Sequence, residues 1–333
     1  DLVLSNLGPI DRHNYSLASK ETLGTVRSFN DRAFRISKLL APYFSDDQHI
    51  VQFRELQYHH GILISGSTAL QFFDRVTYQG SDLDLYVNVD HAAPLLVFLS
   101  EIHYVFVPRS PGQCEFQRRL SENNLGQLRR RYEGRGIMIV FDHIKDGKKI
   151  QVIVTKQGPI DCILSFHSTC VMNIISHSHA YSLFPYTTFE SKATIRLNRE
   201  LHPHDLSNSN FERAIEKYRD RGWVDANLPS AAVYLRNHSE FFDGERSVGD
   251  AATWKIQLEA VGDDTIPVHL MTFAADPVGC NSWYQKVEDG NFLIDHDNMG
   301  GSIFYQPCTV KHLWALIPHM RTLRNGDPTD EHL

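Results

Sequence analysis

The chain is predicted to be an α+β protein: a mixed sheet flanked by helices, with a smaller β-rich region toward the C-terminal end. Three observations predict this. Between residues 20 and 44 apolar residues recur at near-helical spacing. From 61 to 155 short apolar runs of strand character alternate with helix-like segments, and one pair of runs is closed by Asp146-Gly147, a strong hairpin signal. From about 223 the texture shifts to frequent Gly, Asp and Asn with short β-like runs. The predicted division is therefore 1–222, with helices at its start, and 223–333 as a β-rich domain or extension.

In order, Val26, Phe29, Phe34, Ile36, Leu39, Leu40 and Tyr43 line one face of an expected helix. A second helix is expected over 50–58. The run Gly61-Ile62-Leu63-Ile64 reads as a strand ending in Gly66-Ser67, with a helix over 68–75 and a strand over 82–89. A helix over 92–101, a strand over 104–107 and a loop at Arg109-Ser110-Pro111-Gly112 follow. The hairpin pairs 136–144 with 148–154. Pro159 suits the first turn of a helix expected to run to Phe184, and a helix over 208–221 is stopped by Gly222. Beyond it, β-like runs lie at 252–258, 268–273, 292–294 and 303–305, with a closing helix over 311–320. Trp254 and Trp283 read as core residues.

The composition narrows the function. With 42% hydrophobic and 22% charged residues the chain reads as an ordinary folded protein, and a net charge of −7 argues against a generic nucleic-acid coat. No apolar run approaches the ~20 residues that span a bilayer, and the first residues lack the basic start and apolar core of a signal peptide. Five scattered cysteines without a Cys-x-x-Cys argue against a disulfide framework or a structural zinc site. An intracellular setting, cytoplasmic or nuclear, is expected. The pairs His59-His60, His177-x-His179 and His202-x-His204 read as surface or core residues.

The most informative stretch is Ser81-Asp82-Leu83-Asp84-Leu85-Tyr86-Val87-Asn88. On a strand Asp82, Asp84, Tyr86 and Asn88 share one face. Two carboxylates across from a Gly-Ser turn at a helix start could hold a divalent cation against a phosphate chain. This pattern of an apolar residue, Gly66, Ser67, a fourteen-residue spacer and Asp-Leu-Asp resembles the nucleotidyltransferase superfamily related to DNA polymerase beta. The likeness is specific over residues 55–90, and the chain is also similar to fungal proteins that carry this domain. It implies a nucleotidyltransferase-like sheet, Asp82 and Asp84 as ligands of Mg²⁺ or Mn²⁺, and Gly66 and Ser67 against the phosphates of an NTP.

The sequence departs from the family at the third acid, which members carry on a later strand. The matching position holds Gln151. If Asp146-Gly147 is a two-residue loop, Lys145 pairs with Lys148 and Asp142 falls opposite Gln151 on the same sheet face. A one-residue slip would separate them. Either Asp142 supplies the missing carboxylate or the site lacks it; Asp161 is a more distant candidate. Lys217, on the helix before Gly222, is a loose match to a basic residue that similar enzymes set against the triphosphate. Ser168 beside His167 lacks an orienting acid and is no triad.

Residues 109–149 carry ten basic side chains against five acidic ones. They could meet a triphosphate, an RNA backbone or a protein acceptor, or form a solvated face with ordinary ion pairs. Two functions stay open: a metal-dependent nucleotidyltransferase moving an NMP to an acceptor hydroxyl, and a nucleotide- or RNA-binding regulatory module on the same fold without turnover.

Overall fold

A computed structural model describes residues 1–121, 136–197, 208–226, 239–259, 276–288 and 291–295. The runs expected at 268–273 and 303–305 and the helix at 311–320 lie outside the described residues.

The chain is a mixed α+β protein. Its helices begin with Leu2–Asn6, Pro9–Leu17 and Lys20–Ala33, the last started by a capping box between Ser19 and Thr22. The single helix expected over 20–44 is two: the backbone leaves helical geometry at Phe34 (φ −115°, ψ 56°) and resumes at Ile36–Leu40. Asp46 accepts from the His49 amide to start Asp47–His60, and Gly61 (φ 63°) closes it.

The strands are β1 (Leu63–Ser65), β2 (Leu83–Asn88), β3 (Val105–Val107), β4 (Ile137–Lys145), β5 (Lys148–Thr155), β6 (Asn173–Ile175), β7 (His179–Ser182), β8 (Ala193–Thr194), β9 (Val224–Asp225), β10 (Gly244–Ser247), β11 (Trp254–Gln257), β12 (Ser282–Glu288) and β13 (Asn291–Asp295). Eight of them form one sheet in the order β11-β7-β6-β1-β2-β5-β4-β3. β1 is antiparallel to β2, and β2 is parallel to β5, as its crossover through the helix Ala92–Glu101 requires. The β4–β5 hairpin keeps the register read from Asp146-Gly147, with Lys145 opposite Lys148 and Asp142 opposite Gln151.

Alternation divides the sheet into two cores. Leu83, Leu85, Val87, Ile150, Val152 and Val154 face the helical side with Phe53, Phe72 and Leu99. Leu63, Tyr86 and Ile153 face the other side, where they meet Phe184, Trp283, Phe292 and Ile294.

One further expectation is corrected. The long helix over 159–184 is a short helix, Pro159–Leu164, followed by the β6–β7 hairpin. Short polar side chains capture backbone groups that a helix would need: Ser165 Oγ donates to Asp161 O, Asn173 Nδ2 to Cys170 O and Ser176 Oγ to His179 O. Ile174 and Ile175, β-branched and fully buried, favour the strand. Segments beyond residue 222 join the sheet and its core. β11 is an edge strand of the main sheet, paired with β7, and Trp283, Phe292 and Ile294 share a core with Leu63 and Tyr86. The Arg109 loop leads directly into a helix, Pro111–Ser121.

Trp283 is fully buried, a core residue as expected, and the partly buried Trp254 packs edge-on or tilted against Phe34, Phe73 and Phe189 at the margin of the core. Cys114, Cys170 and Cys280 are free thiols. Among the described residues no helix is long and apolar enough to cross a membrane.

Candidate functional site

The site begins where β1 ends. Ser65 caps the helix Gly66–Asp74, and Gly66 has φ +67°, a conformation that favours glycine. A Cβ on Gly66 would lie 2.8 Å from Asp84 Oδ2. The glycine therefore permits two things at once: a left-handed backbone at the turn and the close approach of a strand carboxylate to it.

The sheet then lines up the rest. Ser65 pairs with Asp84, Asp84 with Gln151 and Gln151 with Asp142, so four polar residues form one row across β1, β2, β5 and β4 on one face. Asp82 lies two residues before Asp84, and Lys149 two before Gln151. Thr68 Oγ1 donates to the Asp82 carbonyl at 2.6 Å, which ties the start of β2 to the Gly66 helix. Tyr43 donates to the Ser81 carbonyl at 2.9 Å, and its hydroxyl is pushed up to about 12, chiefly by burial, with Asp82 and Asp84 adding to it.

The three acids differ in their partners. Asp82 pairs with Lys149 Nζ at 2.6 Å. Asp142 receives both ends of Arg109, Nε to Oδ2 at 2.6 Å and Nη2 to Oδ1 at 2.7 Å, and Gln151 Nε2 also donates to Oδ1 at 2.7 Å. Burial pushes the Asp142 carboxyl up, but these donors outweigh it and hold it below the usual carboxylate range. Asp84 is the exception. Its Oδ1 is closed off from solvent and accepts no hydrogen bond. Burial first and the Asp82 charge second push its carboxyl up to about 7, against the pull of Lys217 and Lys149.

The helix Asn208–Asp220 brings the cations to this face. Lys217 is close enough to feel both Asp84 and Asp82; burial and Arg221 lower its pKa while the two acids raise it. Arg221 stacks on Tyr78 at 4.2 Å, and its Nη1 is buried without a hydrogen-bond partner. Lys217 thus feels the charge of two residues, Asp84 and Arg221, that each carry one buried unsatisfied atom.

The structure therefore brings together Gly66, Asp82, Asp84, Asp142, Gln151 and Lys217, all expected from sequence. Ser67 is at the turn and buried, at 3% exposure. Asp161 sits apart, in the first turn of Pro159–Leu164. His167 and Ser168 bond each other at 2.7 Å with Ser168 buried, as packing residues. Sequence reasoning missed Thr68, the individual role of Lys149, and Arg109. Lys149 was recoverable, since it alternates with Gln151 on a strand already placed. Arg109 was not, because nothing in a loop sequence says which strand residue its side chain will reach.

Of the basic segment, Arg118 and Arg119 pair with Glu115 along their own helix. Residues 122–135, with Arg129, Arg130, Arg131 and Arg135, lie outside the described residues.

Among the described residues no three His, Cys, Asp or Glu side chains converge to hold a metal ion. Asp82 and Asp84 do fit a hard cation of the kind that takes one or two carboxylates, keeps several waters and completes its shell with phosphate oxygens, and the unsatisfied Asp84 Oδ1 is such a donor. Asp142 does not add to this pair while Arg109 holds both its oxygens. Comparison of the chain with protein-family models, curated proteins and solved structures finds no match.

Proposed function

We propose that this chain is an intracellular nucleotidyltransferase of the polymerase-beta-like kind, which binds an NTP between the Gly66 turn and the acids of β2 and transfers its NMP to an acceptor hydroxyl. The observation that carries the reading is the contact of Gly66 with Asp84, at the point where Ser65, Asp84, Gln151 and Asp142 form one row. A plain strand-to-helix turn has no need to set a glycine beside one carboxylate oxygen, Oδ2, while the other, Oδ1, is buried without a partner.

In this reading Asp82 and Asp84 hold Mg²⁺ or Mn²⁺, which when bound would neutralise phosphate charge and lower the pKa of the attacking hydroxyl. The protein's own groups do the rest. The Gly66 helix start offers backbone amides to phosphate oxygens. Lys217 and Arg221 offset the negative charge of the triphosphate from the opposite side. The acceptor oxygen forms a bond to the α-phosphorus as the bond to the β-phosphate breaks, and pyrophosphate leaves. The hydroxyl proton passes to water, because Asp84 Oδ1 is given to the metal in this reading. The acceptor, whether an RNA end, a small molecule or a protein side chain, would approach along the rim near Arg109 and Lys149.

One observation favours a second reading. The third acid is absent at Gln151, and Asp142, its neighbour across the hairpin, is engaged at both oxygens by Arg109. A site with two working carboxylates could bind a nucleotide as a regulatory module without turnover.

Titration calorimetry of ATP, GTP, CTP and UTP with Mn²⁺, on wild type and on Asp82→Ala/Asp84→Ala, tests the shared premise. Metal-dependent binding that disappears in the double variant supports a nucleotide site. Pyrophosphate release from the bound NTP then separates the enzyme from the module. No binding at millimolar nucleotide would sink both.

A further inference from the structure

We propose that Lys149 is a placeholder cation: it occupies Asp82 while the site is vacant and moves to phosphate when nucleotide arrives, so that divalent metal and nucleotide bind as a coupled pair. The inference deepens the nucleotide-site reading and rests on it.

The geometry separates Lys149 from the other cation in the row. Lys149 precedes Ile150, which pairs with Leu83, so on the parallel β2–β5 ladder it stands beside Asp82 on the acid face. Its ammonium makes one contact with Asp82, at 2.6 Å, and both side chains stay about a third exposed, at 34% and 29%. Arg109 instead grips Asp142 with two parallel bonds, and Gln151 holds the same carboxylate. A planar guanidinium on a carboxylate is a fixed fork, whereas an ammonium on a flexible stem is a movable point charge. A single-point pair about a third exposed contributes little to the fold, so Lys149 can leave at small cost. Asp82 itself does not follow, because Thr68 ties its carbonyl to the Gly66 helix.

The coupling follows from charge. Asp82 cannot serve Lys149 and a divalent cation together. Once the ammonium leaves, it sits beside a second positive centre and is repelled, unless an anion lies between them. A triphosphate is such an anion. Lys149 therefore opposes metal binding in the vacant site and favours it when nucleotide is present. By linkage, metal must strengthen nucleotide binding by the same factor.

The test is Mn²⁺ binding, read from the free-ion paramagnetic resonance signal, with and without the best-binding NTP, on wild type, Lys149→Gln and Lys149→Arg. In wild type, nucleotide should tighten Mn²⁺ binding about 10-fold or more, within the usual range of coupling between sites. In Lys149→Gln, Mn²⁺ alone should bind about 10-fold more tightly than in wild type, and the enhancement by nucleotide should fall below about 3-fold. Lys149→Arg, which keeps the charge but offers a fixed fork, should hold Asp82 more firmly, so that Mn²⁺ alone binds no more tightly than in wild type. If Lys149→Gln binds Mn²⁺ alone no more tightly than wild type and keeps the full enhancement, the placeholder idea is overturned while the nucleotide site stands. If Asp82→Ala/Asp84→Ala leaves Mn²⁺ and nucleotide binding unchanged, the site itself is misplaced and the inference falls with it.

Discussion

Two clusters of buried charge on the same side of the main sheet treat their ions in opposite ways. Around Arg246 every charge is answered. The guanidinium is fully covered, donates twice to Asp250, and also reaches Leu183 O, Glu240 O and Thr253 Oγ1. The nearby Glu240 carboxylate accepts from the amides of Tyr186 and Thr187. Around Asp84 the opposite holds: one carboxylate oxygen has no partner, a glycine is pressed against the other, and Arg221 Nη1 is also unsatisfied. Buried ionic groups are costly unless bonded. The first cluster meets that requirement and is structural. The second does not, and the unmet bonds are what a bound ligand could supply.

The largest expected effect lies in the closed cluster. Arg246→Ala removes the partner of Asp250 and abandons two buried carbonyls, and it also removes a cation stacked on Phe184 and Trp283. A loss of about 3–5 kcal/mol in folding stability is expected by denaturant titration. Nucleotide affinity in the protein that remains folded should be unchanged. A loss under about 1 kcal/mol would show that this cluster is no better satisfied than the site.

The open cluster should respond with the opposite sign. The Asp84 carboxyl is raised from its usual range to about 7, so the folded protein binds this proton more tightly than the unfolded chain. Stability from this group is therefore fully present below about pH 4, declines as pH rises, and is lost above about pH 7. In metal-free buffer Asp84→Asn should raise stability at pH 8 by about 2–4 kcal/mol, with the gain shrinking toward pH 4. The same variant should lose metal-dependent nucleotide binding. Stability that does not change with pH between wild type and variant would mean that Asp84 is solvated and ordinary, and the contrast with Arg246 would lapse.

Gly66→Ala comes next. It forces an L residue to φ +67° and puts a methyl group 2.8 Å from Asp84 Oδ2. A cost of about 1–2 kcal/mol is expected for the backbone conformation, with more for the contact. Only the second part should be relieved in an Asp84→Ala background. A double-variant cycle should therefore show a coupling of at least about 0.5 kcal/mol; strict additivity would mean that glycine is there for the turn alone.

What could be read beforehand follows the range of each interaction. The β4–β5 register was legible because Asp146-Gly147 specifies a two-residue loop, and from it came the opposition of Asp142 and Gln151. Asp82, Asp84 and Gly66 were legible because a period of two and a Gly-Ser turn are local patterns. The helix expected over 159–184 failed because its apolar content was read without the backbone bonds that Ser165, Asn173 and Ser176 make. The placement of β11 beside β7 was hidden for a different reason: edge pairing between segments more than seventy residues apart leaves no trace in either one. Arg109 belongs to the same class. Its partner lies 33 residues away on β4, and only the folded sheet shows that it has taken Asp142 out of the reach of a metal ion.

That last pair gives the smallest effect on stability and the sharpest one on function. Arg109 is half exposed and Asp142 is mostly covered, at 49% and 14%, so Arg109→Ala should cost under about 1 kcal/mol of folding stability. Its effect at the site should be larger in proportion. With Arg109 gone, Asp142 keeps only the Gln151 donor and its carboxylate is free to turn toward Asp84. If the site is an enzyme weakened by the occupied third acid, Arg109→Ala should leave nucleotide affinity within about 3-fold and raise pyrophosphate release, and Asp142→Asn in the same background should cancel the gain. If Arg109 instead meets the triphosphate or the acceptor, the variant should weaken nucleotide or acceptor binding, and Asp142→Asn should make no further difference. Pyrophosphate release measured across these variants therefore decides whether the Arg109–Asp142 pair restrains catalysis or takes part in binding.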